Sequence, residues 1–480
     1  MRFIDRKREF TFLNQLKTYP DGQMVLMYGR RRVGKTVLLR HWAEQSGLRH
    51  IYWAAEKEPP ALQRRKFFAR CFGNAAPSTQ FETWADCFAA VAQTLGQEHT
   101  ILIIDELPYA ADADSAFLSA LQHAWDHLFK PLPLILILCG SHVNVMERLM
   151  NRQSPLYGRF RRQWRLQPLP FCAIREFGER WSADERVAIY AIVGGIPAYL
   201  EWLDPQLSFS DNLRDVLLDS GSLFIAEPEF LLYDEVREPR NYLAILKAIG
   251  SGAHTIAEIQ RDTLLSKSHL TTYLARLQQL YMVERRIPAT VRPQHRHQSR
   301  RGRYHLSDAY FRFYFRFIAP RIADIAYRPE RVLPVIRQQL RAFIGMSAWE
   351  ELSRQWVDWF VDPKEDPALP YLGWLPENIG SHWSRTVQVD VVAVSWTEKR
   401  LLIGECKWQP NAVSRKIVQD LVEHKTPKLL DSIDKAEQWK IQHACFGRGG
   451  FTDAAQQYAI QHQVELIDLP RLDRDLHTQC

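Results

Sequence analysis

Short apolar segments alternate with amphipathic segments through the first two hundred residues. Five apolar segments predict β-strands: MVLMYG, HIYWAA, TILIIDE, LILILCGS and RQWRLQPL. Several are apolar at consecutive positions, which is typical of parallel strands that helices cover on both faces. The repeated strand–helix order predicts a doubly wound α/β core. After the breaker cluster Gly194-Gly195-Ile196-Pro197 the strand-like segments stop and helical spacing takes over.

The middle of the chain, from about Asn241, has the pattern of three helices and two strands. The helices correspond to YLAILKAIG, TIAEIQRDTLL and SKSHLTTYLARLQQL, and the strands to YMVERRIP and GRYHLS, on either side of a polar loop. This order is the outline of a winged helix-turn-helix.

A third pattern starts at about Arg341. The helix AFIGMSAWEELSRQWV precedes a proline-rich stretch, the strands TVQVDVVAV and RLLIGECKW, and further helix. We therefore expect three domains, at residues 1–205, 206–335 and 336–480.

Composition indicates an ordinary folded protein. Hydrophobic residues make up 46% and charged residues 24% of 480 residues, which excludes a disordered or fibrous chain. The N-terminal MRFIDRKREF lacks the apolar core of a signal peptide, and the run around PLPLILILCG is too short to cross a bilayer. We expect a cytoplasmic protein without a membrane partner. Seven cysteines without a CxxC pair suggest neither a disulfide framework nor a zinc site.

The segment GRRRVGKT matches the phosphate-loop pattern GxxxxGK[ST] between an apolar strand and an amphipathic helix. Backbone N–H groups of such a loop surround a β-phosphate, and the helix N-terminus adds its positive dipole end. Lys35 would reach the β- and γ-phosphates, and the Thr36 hydroxyl would bind Mg²⁺. The alternative is an accidental glycine-rich turn. The predicted ATP-contacting residues are Gly29, Arg30, Arg31, Arg32, Val33, Gly34, Lys35, Thr36 and Val37.

Two acids follow the apolar strand Ile101 to Ile104. At the carboxyl end of a parallel strand they would face the phosphate loop. Asp105 would hold Mg²⁺ through water, and Glu106 would orient and deprotonate the attacking water. The alternatives are two solvated acids, or nucleotide binding without turnover.

Two further positions are candidates for nucleotide contact. Ser141, after the strand at Leu134 to Leu138, could sense the γ-phosphate, although a helix N-cap explains a serine there equally well. Arg159, with Arg161 and Arg162, could act on a neighbouring subunit of a homo-oligomer. A solvated or DNA-facing surface is the favoured interpretation of that arginine cluster.

The third helix of the winged-helix outline has a polar side that suits DNA. Ser266 would cap it, and Leu270, Leu274 and Leu277 recur at helical spacing, so the other positions point largely outward. The net charge of +7 is concentrated in the segment 285–303, which contains seven arginines and no acid. A packing module with a solvated basic loop is the alternative. The predicted DNA-contacting residues are Lys267, Ser268, Thr271, Thr272, Arg276, Arg296, Arg300, Arg301 and Arg303.

The C-terminal strands carry a possible metal site. Glu405 and Lys407 share one face of a strand, and Asp390 joins them if the two strands pair as a hairpin. Asp390, Glu405 and a backbone carbonyl would bind Mg²⁺ for phosphodiester hydrolysis, with Lys407 orienting the water and Glu350 adding an acid. The alternatives are a structural ion pair or a decayed nuclease core that still binds DNA.

Together these motifs resemble the predominantly archaeal-type P-loop ATPase family, a relative of the AAA+ and STAND ATPases. The resemblance rests on FIDRKREFTFL, YGRRRVGKT, ILIIDEL, LILCGS, SPLYGR and GGIPAYL, and on VREPRNYLAIL, RGRYHLSDAYFRFYFRF and GECKW, which look like the family's C-terminal domain of unknown function 234. It implies an α/β P-loop NTPase parallel sheet with a helical lid, a winged helix-turn-helix, and a restriction-endonuclease-like α/β domain similar to PD-(D/E)XK nucleases.

Carried over by residue, the resemblance places Lys35 and Thr36 in the phosphate loop, and Asp390, Glu405 and Lys407 in the nuclease triad. The leading hypothesis is a DNA-processing ATPase with a metal-dependent nuclease. One alternative is a nucleotide-switched DNA-binding regulator or defence sensor that does not cleave. Another is a signalling ATPase whose tail docks a protein.

Overall fold

The structure is a computed structural model that describes residues 3–72, 81–236, 238–359, 373–433 and 435–478. The chain divides into two compact units. The N-terminal unit contains Met1–Leu169 and Ile196–Tyr199, and the C-terminal unit contains Pro170–Gly195 and Leu200–Cys480. The predicted boundaries near residues 205 and 335 stay predictions. The proline-rich stretch falls at 360–372, outside the described residues.

The N-terminal unit is built on a parallel sheet of five strands. They are β1 (Gln23–Tyr28), β2 (Arg49–Ala54), β3 (Thr100–Asp105), β4 (Leu134–Gly140) and β5 (Arg162–Arg165). Their order is β2-β3-β4-β1-β5, and every pairing is parallel. Strands β1, β3 and β4 are buried at every position, as their continuous apolar sequence predicts. The predicted parallel α/β sheet is confirmed.

Helices cover both faces of this sheet. They are α1 (Lys7–Leu16), α2 (Lys35–Gln45), α3 (Pro60–Phe72), α4 (Trp84–Leu95), α5 (Leu107–Ala113), α6 (Phe117–Ala124) and α7 (Val143–Arg148). One face packs an aromatic core that includes Trp84 and Phe88, and the other packs α1 and α2 through residues such as Leu13 and Trp42. Two separate cores hold the strand ends, and the loops that follow them, in fixed positions.

Helices predominate in the first part of the C-terminal unit. Those before residue 240 are α8 (Ile174–Phe177), α9 (Ala183–Val193), α10 (Pro197–Trp202), which begins in the N-terminal unit, α11 (Phe209–Asn212) and α12 (Leu223–Glu235). None of the described helices combines the length and the hydrophobicity that a bilayer-spanning segment requires.

The next elements follow the order of a winged helix-turn-helix. They are α13 (Pro239–Gly250), α14 (Ile256–Thr263), α15 (Lys267–Gln279), β6 (Val283–Arg286) and β7 (Arg303–Leu306), and the two strands pair antiparallel. A reciprocal capping box of Thr255 and Glu258 begins α14, and the Ser266 hydroxyl caps α15 as the sequence predicts. Both boundaries are therefore local properties of the sequence.

A mixed five-stranded sheet forms the core of the C-terminal part. Its strands are β8 (Asn378–Trp383), β9 (Gln388–Ser395), β10 (Arg400–Lys407), β11 (Lys440–Gly447) and β12 (Val464–Asp468), in the order β12-β11-β10-β9-β8. Strands β8, β9 and β10 pair antiparallel, whereas β10, β11 and β12 pair parallel. The predicted separate C-terminal α/β sheet is confirmed.

The remaining helices lie around this sheet and before it in the chain. They are α16 (Ala309–Phe313), α17 (Ile322–Tyr327), α18 (Pro329–Ile344), α19 (Glu350–Trp359), α20 (Arg415–Asp420), α21 (Thr426–Leu430), α22 (Asp453–His462) and α23 (Leu469–His477). Five described cysteines are free and buried, Cys71, Cys87, Cys139, Cys406 and Cys445, whereas Cys172 is disulfide-bonded.

Candidate functional site

The loop between β1 and α2 needs glycine at two positions. A Cβ placed on Gly29 would lie 2.6 Å from the carbonyl oxygen of Leu166, so the loop can pass β5 only without a side chain. Gly34 has a φ of 93°, in the left-handed region that glycine adopts without strain. This conformation turns the chain directly into α2, whose first N–H groups are available to an anion.

Lys35 lies under this loop and is almost completely buried. Its Nζ donates hydrogen bonds to the carbonyl oxygens of Gly29, at 2.8 Å, and Arg30, at 3.0 Å. Burial lowers the pKa of Lys35, and the nearby carboxylates of Glu106 and Asp105 partly oppose that shift. The ammonium is therefore held where a triphosphate would replace the two carbonyl partners.

Asp105 receives three hydrogen bonds at the end of β3. The Thr36 hydroxyl donates to Asp105 Oδ2 at 2.6 Å, the Tyr52 hydroxyl donates to the same oxygen at 2.9 Å, and the Glu106 N–H donates to Oδ1 at 2.9 Å. Asp105 is only 1% exposed. A carboxylate and a hydroxyl in direct contact are hard oxygen ligands, so these residues fit Mg²⁺.

Tyr52 was missed by the sequence reasoning. It lies on β2, next to β3, and burial raises the pKa of its phenol, with the charge of Asp105 adding to the shift. In the sequence Tyr52 is simply a tyrosine inside an apolar strand. Its contact with Asp105 could not be predicted without knowing that β2 lies next to β3.

Ser141 lies between the two motifs, because β4 separates β1 from β3 in the sheet. Its hydroxyl contacts both carboxylate oxygens of Glu106, at 3.0 and 2.9 Å. The alternative that Ser141 caps a helix is wrong, since α7 has His142 at its N-cap position and no side-chain cap. Glu106 itself has a φ of 49°, so its backbone is in the left-handed region at the site.

The arginines of the loop contact tyrosines of the same unit. Arg31 donates to the Tyr109 hydroxyl at 3.0 Å, and Arg30 donates to the Tyr199 hydroxyl at 3.2 Å. Val37 is 40% exposed at the start of α2. These contacts link the outer side of the loop to tyrosines of the same unit.

Arg6 is a second residue that the sequence reasoning missed. It is buried, and its guanidinium donates to the carbonyl oxygens of Val33, at 2.9 Å, and Gln167, at 2.8 Å. It therefore ties the phosphate loop to the segment after β5. Its position in the charged opening segment FIDRKREF gave no indication of this role.

Arg159 is engaged within its own unit. It forms a salt bridge with Asp126 at 2.7 Å, and hydrogen bonds from Arg159 lower the pKa of that carboxyl. Arg161 stacks on the ring of Tyr19 at 4.0 Å, and Arg162 donates to Gln15. The arginine cluster is thus packed against neighbouring side chains, and a role for Arg159 in a neighbouring subunit stays a prediction.

Helix α15 presents the predicted polar side. Leu270, Leu274 and Leu277 are buried. Arg276, which was predicted to contact DNA, is half-buried. The other four predicted DNA-contacting residues of this helix are exposed: Lys267, Ser268, Thr271 and Thr272. Both threonine hydroxyls donate to the carbonyl oxygen of Ser268, at 2.9 and 3.1 Å.

The arginine-rich loop between β6 and β7 is less free than the sequence predicts. Within it, the Ala289 N–H donates to Ser381 O at 2.8 Å, and the Asn378 side chain donates to Ala289 O at 2.8 Å. The loop therefore packs along β8. Of the predicted DNA-contacting arginines, Arg300 and Arg301 are exposed, whereas Arg296 and Arg303 are half-buried.

The acids of the C-terminal sheet come together as the strand pairing predicts. Asp390 Oδ2 accepts a hydrogen bond from the Cys406 N–H at 3.0 Å, which places this carboxylate beside Glu405. Burial, and then the charge of Glu405, raise the pKa of Asp390 to about 6. Burial, and then Asp390, raise the pKa of Glu350 to about 7. The three carboxylates thus share one low-dielectric region.

Two lysines already neutralise Glu405. Lys407 Nζ contacts Glu405 Oε1 at 2.6 Å, and Lys425 Nζ contacts Oε2 at 2.6 Å. Lys425, which the sequence reasoning missed, comes from the segment after α20. Among the described residues, no group of three or more His, Cys, Asp or Glu side chains is arranged to hold a metal ion. The donor chemistry suits Mg²⁺, but the ligand oxygens of Glu405 are occupied by ammonium groups.

The comparisons with known proteins identify the family of the chain. Residues 3–203 match the family described as an ATPase domain predominantly from Archaea, and residues 314–419 match a domain described as archaeal and bacterial proteins of unknown function. An uncharacterized protein of Methanocaldococcus jannaschii is 30% identical over 440 residues, which cover 90% of this chain and 94% of that relative.

Among solved structures, a Walker-type ATPase of Pyrococcus abyssi aligns with a TM-score of 0.48 at 20% identity, covering 65% of this chain and 96% of that one. The ORC2 protein of Aeropyrum pernix, in ADPNP–ADP complexes, aligns with a TM-score of 0.42 at 12% identity, covering 69% and 95%. The chain belongs to the predominantly archaeal family of P-loop ATPases that carry the domain of unknown function 234 at their C-terminal side.

Proposed function

We propose that the N-terminal unit binds and hydrolyses ATP with Mg²⁺. The observation that carries this proposal is the 2.6 Å hydrogen bond between Thr36 and Asp105, which joins the phosphate loop to the acidic strand. Mg²⁺ held there would offset the negative charge of the triphosphate. Thr36 and Asp105 are the residues that would hold it, with Lys35 releasing its carbonyl partners to contact the same phosphates.

Glu106 is the general base of this proposal. It lies beside Ser141, whose hydroxyl orients the carboxylate, and next to Asp105 at the end of β3. A carboxylate fixed in this way can accept a proton from water that approaches the γ-phosphate. Ser141 acts here as a positioning residue for Glu106, and its contact with the γ-phosphate stays a prediction.

The test separates binding from hydrolysis. Glu106→Gln should retain ATP binding by calorimetry and lose at least about a hundredfold in turnover, because the amide cannot accept the proton. Lys66→Ala, at an exposed lysine paired with Glu58, is the matched control and should hydrolyse ATP at the wild-type rate. Undiminished turnover in Glu106→Gln would remove Glu106 from the mechanism.

We further propose that the C-terminal unit binds DNA through α15. The exposure of Lys267, Thr271 and Thr272 on one side of a helix whose leucines are buried supports this. A mobility shift should weaken in Lys267→Ala and should show the salt dependence of phosphate contacts. The exposed Lys428→Ala, on α21, is a control for lysine removal. If the wild type, Lys267→Ala and Lys428→Ala shift DNA equally, α15 is not the DNA-binding helix.

Cleavage is a separate part of the proposal. Glu405 is buried, and Asp390 and Glu350 are half-buried with raised pKa, which supports Mg²⁺-dependent hydrolysis of a phosphodiester by Asp390 and Glu405, with Glu350 and Lys407 beside them. Wild-type protein should cut DNA with Mg²⁺ and Asp390→Ala should not. If the wild type retains DNA without cutting it under any divalent metal, the nucleotide-switched regulator or defence sensor is the better account.

A further inference from the structure

A cavity of about 330 Å³ lies within the C-terminal unit, between the β6–β7 hairpin, α18 and strands β8 and β9. This volume is in the range of small-molecule sites. Among the described residues that line it, Glu350 alone carries a carboxylate. Six lining side chains are basic: His254, Arg286, Arg303, His305, Arg312 and Arg316. The four arginines therefore give the cavity an excess of positive charge over its single carboxylate.

Three of the arginines that line the cavity act on the ring of His305. Burial lowers the pKa of His305 to about 2, and the charges of Arg286, His254, Arg312 and Arg303 add to the shift. His305 is therefore neutral, and its ring lies against that of His254 with 4.4 Å between centroids. A convergence of cations of this kind is unfavourable without an anion.

The charges are only partly offset within the chain. Arg286 pairs with Glu284 at 2.5 Å, whereas Arg312 reaches Glu351 only at 3.4 Å. The buried Nε of Arg312 has no hydrogen-bond partner among the described residues. Arg316 makes contacts of 3.4 Å with two neutral oxygens. A buried guanidinium N–H without a partner costs free energy that a ligand oxygen would recover.

Flat side chains form part of the wall. The Arg303 guanidinium lies over the ring of Trp383 at 5.0 Å, and Trp383 Nε1 donates to Arg301 O at 3.0 Å, which fixes the indole. Phe343 and the stacked histidines also line the cavity. Aromatic faces beside guanidinium groups are the chemistry that stacks a nucleobase next to its phosphate.

We propose that this cavity binds a nucleotide by its phosphate and base, either as a free mononucleotide or as the phosphorylated end of a DNA strand. The proposal is independent of ATP hydrolysis, because the cavity contains no residue of the phosphate loop. Arg312 and Arg316 contact the phosphate, and Trp383 and the histidine pair contact the base.

Calorimetry in a Lys35→Ala background removes the phosphate loop as a competing site. The probes are thymidine 5′-monophosphate, thymidine, and trithymidylate with and without a 5′-phosphate. We expect the phosphorylated probes to bind at least about tenfold more tightly than their unphosphorylated partners. Binding of the mononucleotide without the phosphorylated trinucleotide identifies a free nucleotide as the ligand, and binding of the phosphorylated trinucleotide at least as tightly as the mononucleotide identifies a strand end.

Arg316→Gln and Arg312→Gln should each weaken the phosphorylated probes about tenfold, the loss of one charge-assisted hydrogen bond. Arg316 makes only long contacts, so its variant should fold even if the Arg312 variant does not. The matched control is Arg261→Gln, at an exposed arginine of α14 paired with Asp262. The proposal is overturned if the folded protein binds neither phosphorylated probe, if the phosphate adds no affinity, or if Arg316→Gln binds like the control.

Discussion

The phosphate-loop site and the C-terminal carboxylates use the same residue types in opposite ways. Each places an acid on or at the end of a β-strand with a lysine close by. At the first site, neutral hydroxyls of Thr36 and Tyr52 donate to Asp105, while Lys35 is bound to backbone carbonyls. At the second, the ammonium groups of Lys407 and Lys425 bind both oxygens of Glu405.

The difference teaches what makes a carboxylate ready for a metal ion. The side-chain donors to Asp105 are neutral hydroxyls, so a divalent cation can bind there without displacing an ammonium group. A pair of ammonium groups neutralises Glu405 in advance, and a metal must displace at least one of them. The Mg²⁺ site proposed at Asp105 therefore needs no displaced ammonium group, whereas the one proposed at Glu405 needs a rearrangement of Lys425.

The largest effect should follow from removing Lys35. Lys35→Ala deletes the buried ammonium that would contact the triphosphate, so ATP hydrolysis should fall by at least about a hundredfold and ATP affinity should fall with it. A coupled assay for released phosphate and calorimetry with ATP measure the two effects. Retained hydrolysis would show that Lys35 does not contact the triphosphate during the reaction.

A stability effect of about 2 kcal/mol should follow from Glu350→Gln. The pKa of Glu350 is raised from 4.5 to about 7 in the folded chain, so the folded state binds more protons in that window and loses stability as pH rises through it. At pH 8 the uncharged glutamine should therefore stabilise the C-terminal unit, and at pH 4 it should not.

Urea unfolding in the presence of EDTA, at pH 4 and pH 8, measures this difference. The exposed Glu437→Gln serves as the control and should change the free energy of unfolding little at either pH. If Glu350→Gln were less stable than the wild type at pH 8, neighbouring cations would compensate the negative charge of Glu350 in the folded protein.

Lys425→Met should sharpen the comparison by freeing Glu405 Oε2. The affinity of the C-terminal unit for Mn²⁺, used as a probe for Mg²⁺, should rise about tenfold, because one cation no longer competes for the oxygen. Calorimetry with Mn²⁺ in the absence of nucleotide measures it, and the exposed Lys428→Met on α21 is the control. An unchanged affinity would show that Lys425 does not block the site.

The smallest effect should come from Tyr52→Phe. It removes one of two hydroxyl donors to Asp105 Oδ2 and leaves Thr36 in place, a loss of about 1 kcal/mol. The Mg²⁺ concentration for half-maximal ATP hydrolysis should therefore rise about fivefold. Tyr157→Phe, at an exposed tyrosine, should leave that concentration unchanged. A wild-type Mg²⁺ dependence in Tyr52→Phe would assign Tyr52 to packing alone.

Much of the N-terminal site could be predicted because its residues are close in sequence to strand ends. Gly29, Lys35 and Thr36 belong to one short sequence motif, which locates them directly. Asp105 ends an apolar strand, which the hydrophobic pattern locates. Arg6 and Tyr52 could not be found this way. The role of Tyr52 depends on the order of the strands in the sheet. The role of Arg6 depends on its contact with the phosphate loop, which is distant from it in sequence.

The C-terminal unit shows the same division. Asp390, Glu405 and Lys407 were predicted from the two-residue period of a strand, but nothing local indicated Lys425 or the packing of the arginine-rich loop along β8.

Local rules, such as capping boxes, strand period and the phosphate-loop turn, are set by neighbouring residues, so the sequence by itself determined the elements, the family and the nucleotide-binding motif. The charge state of the acids and the arginine-lined cavity were decided only by tertiary structure. Burial and pairing between distant segments control electrostatic free energy, and neither is written in any single segment.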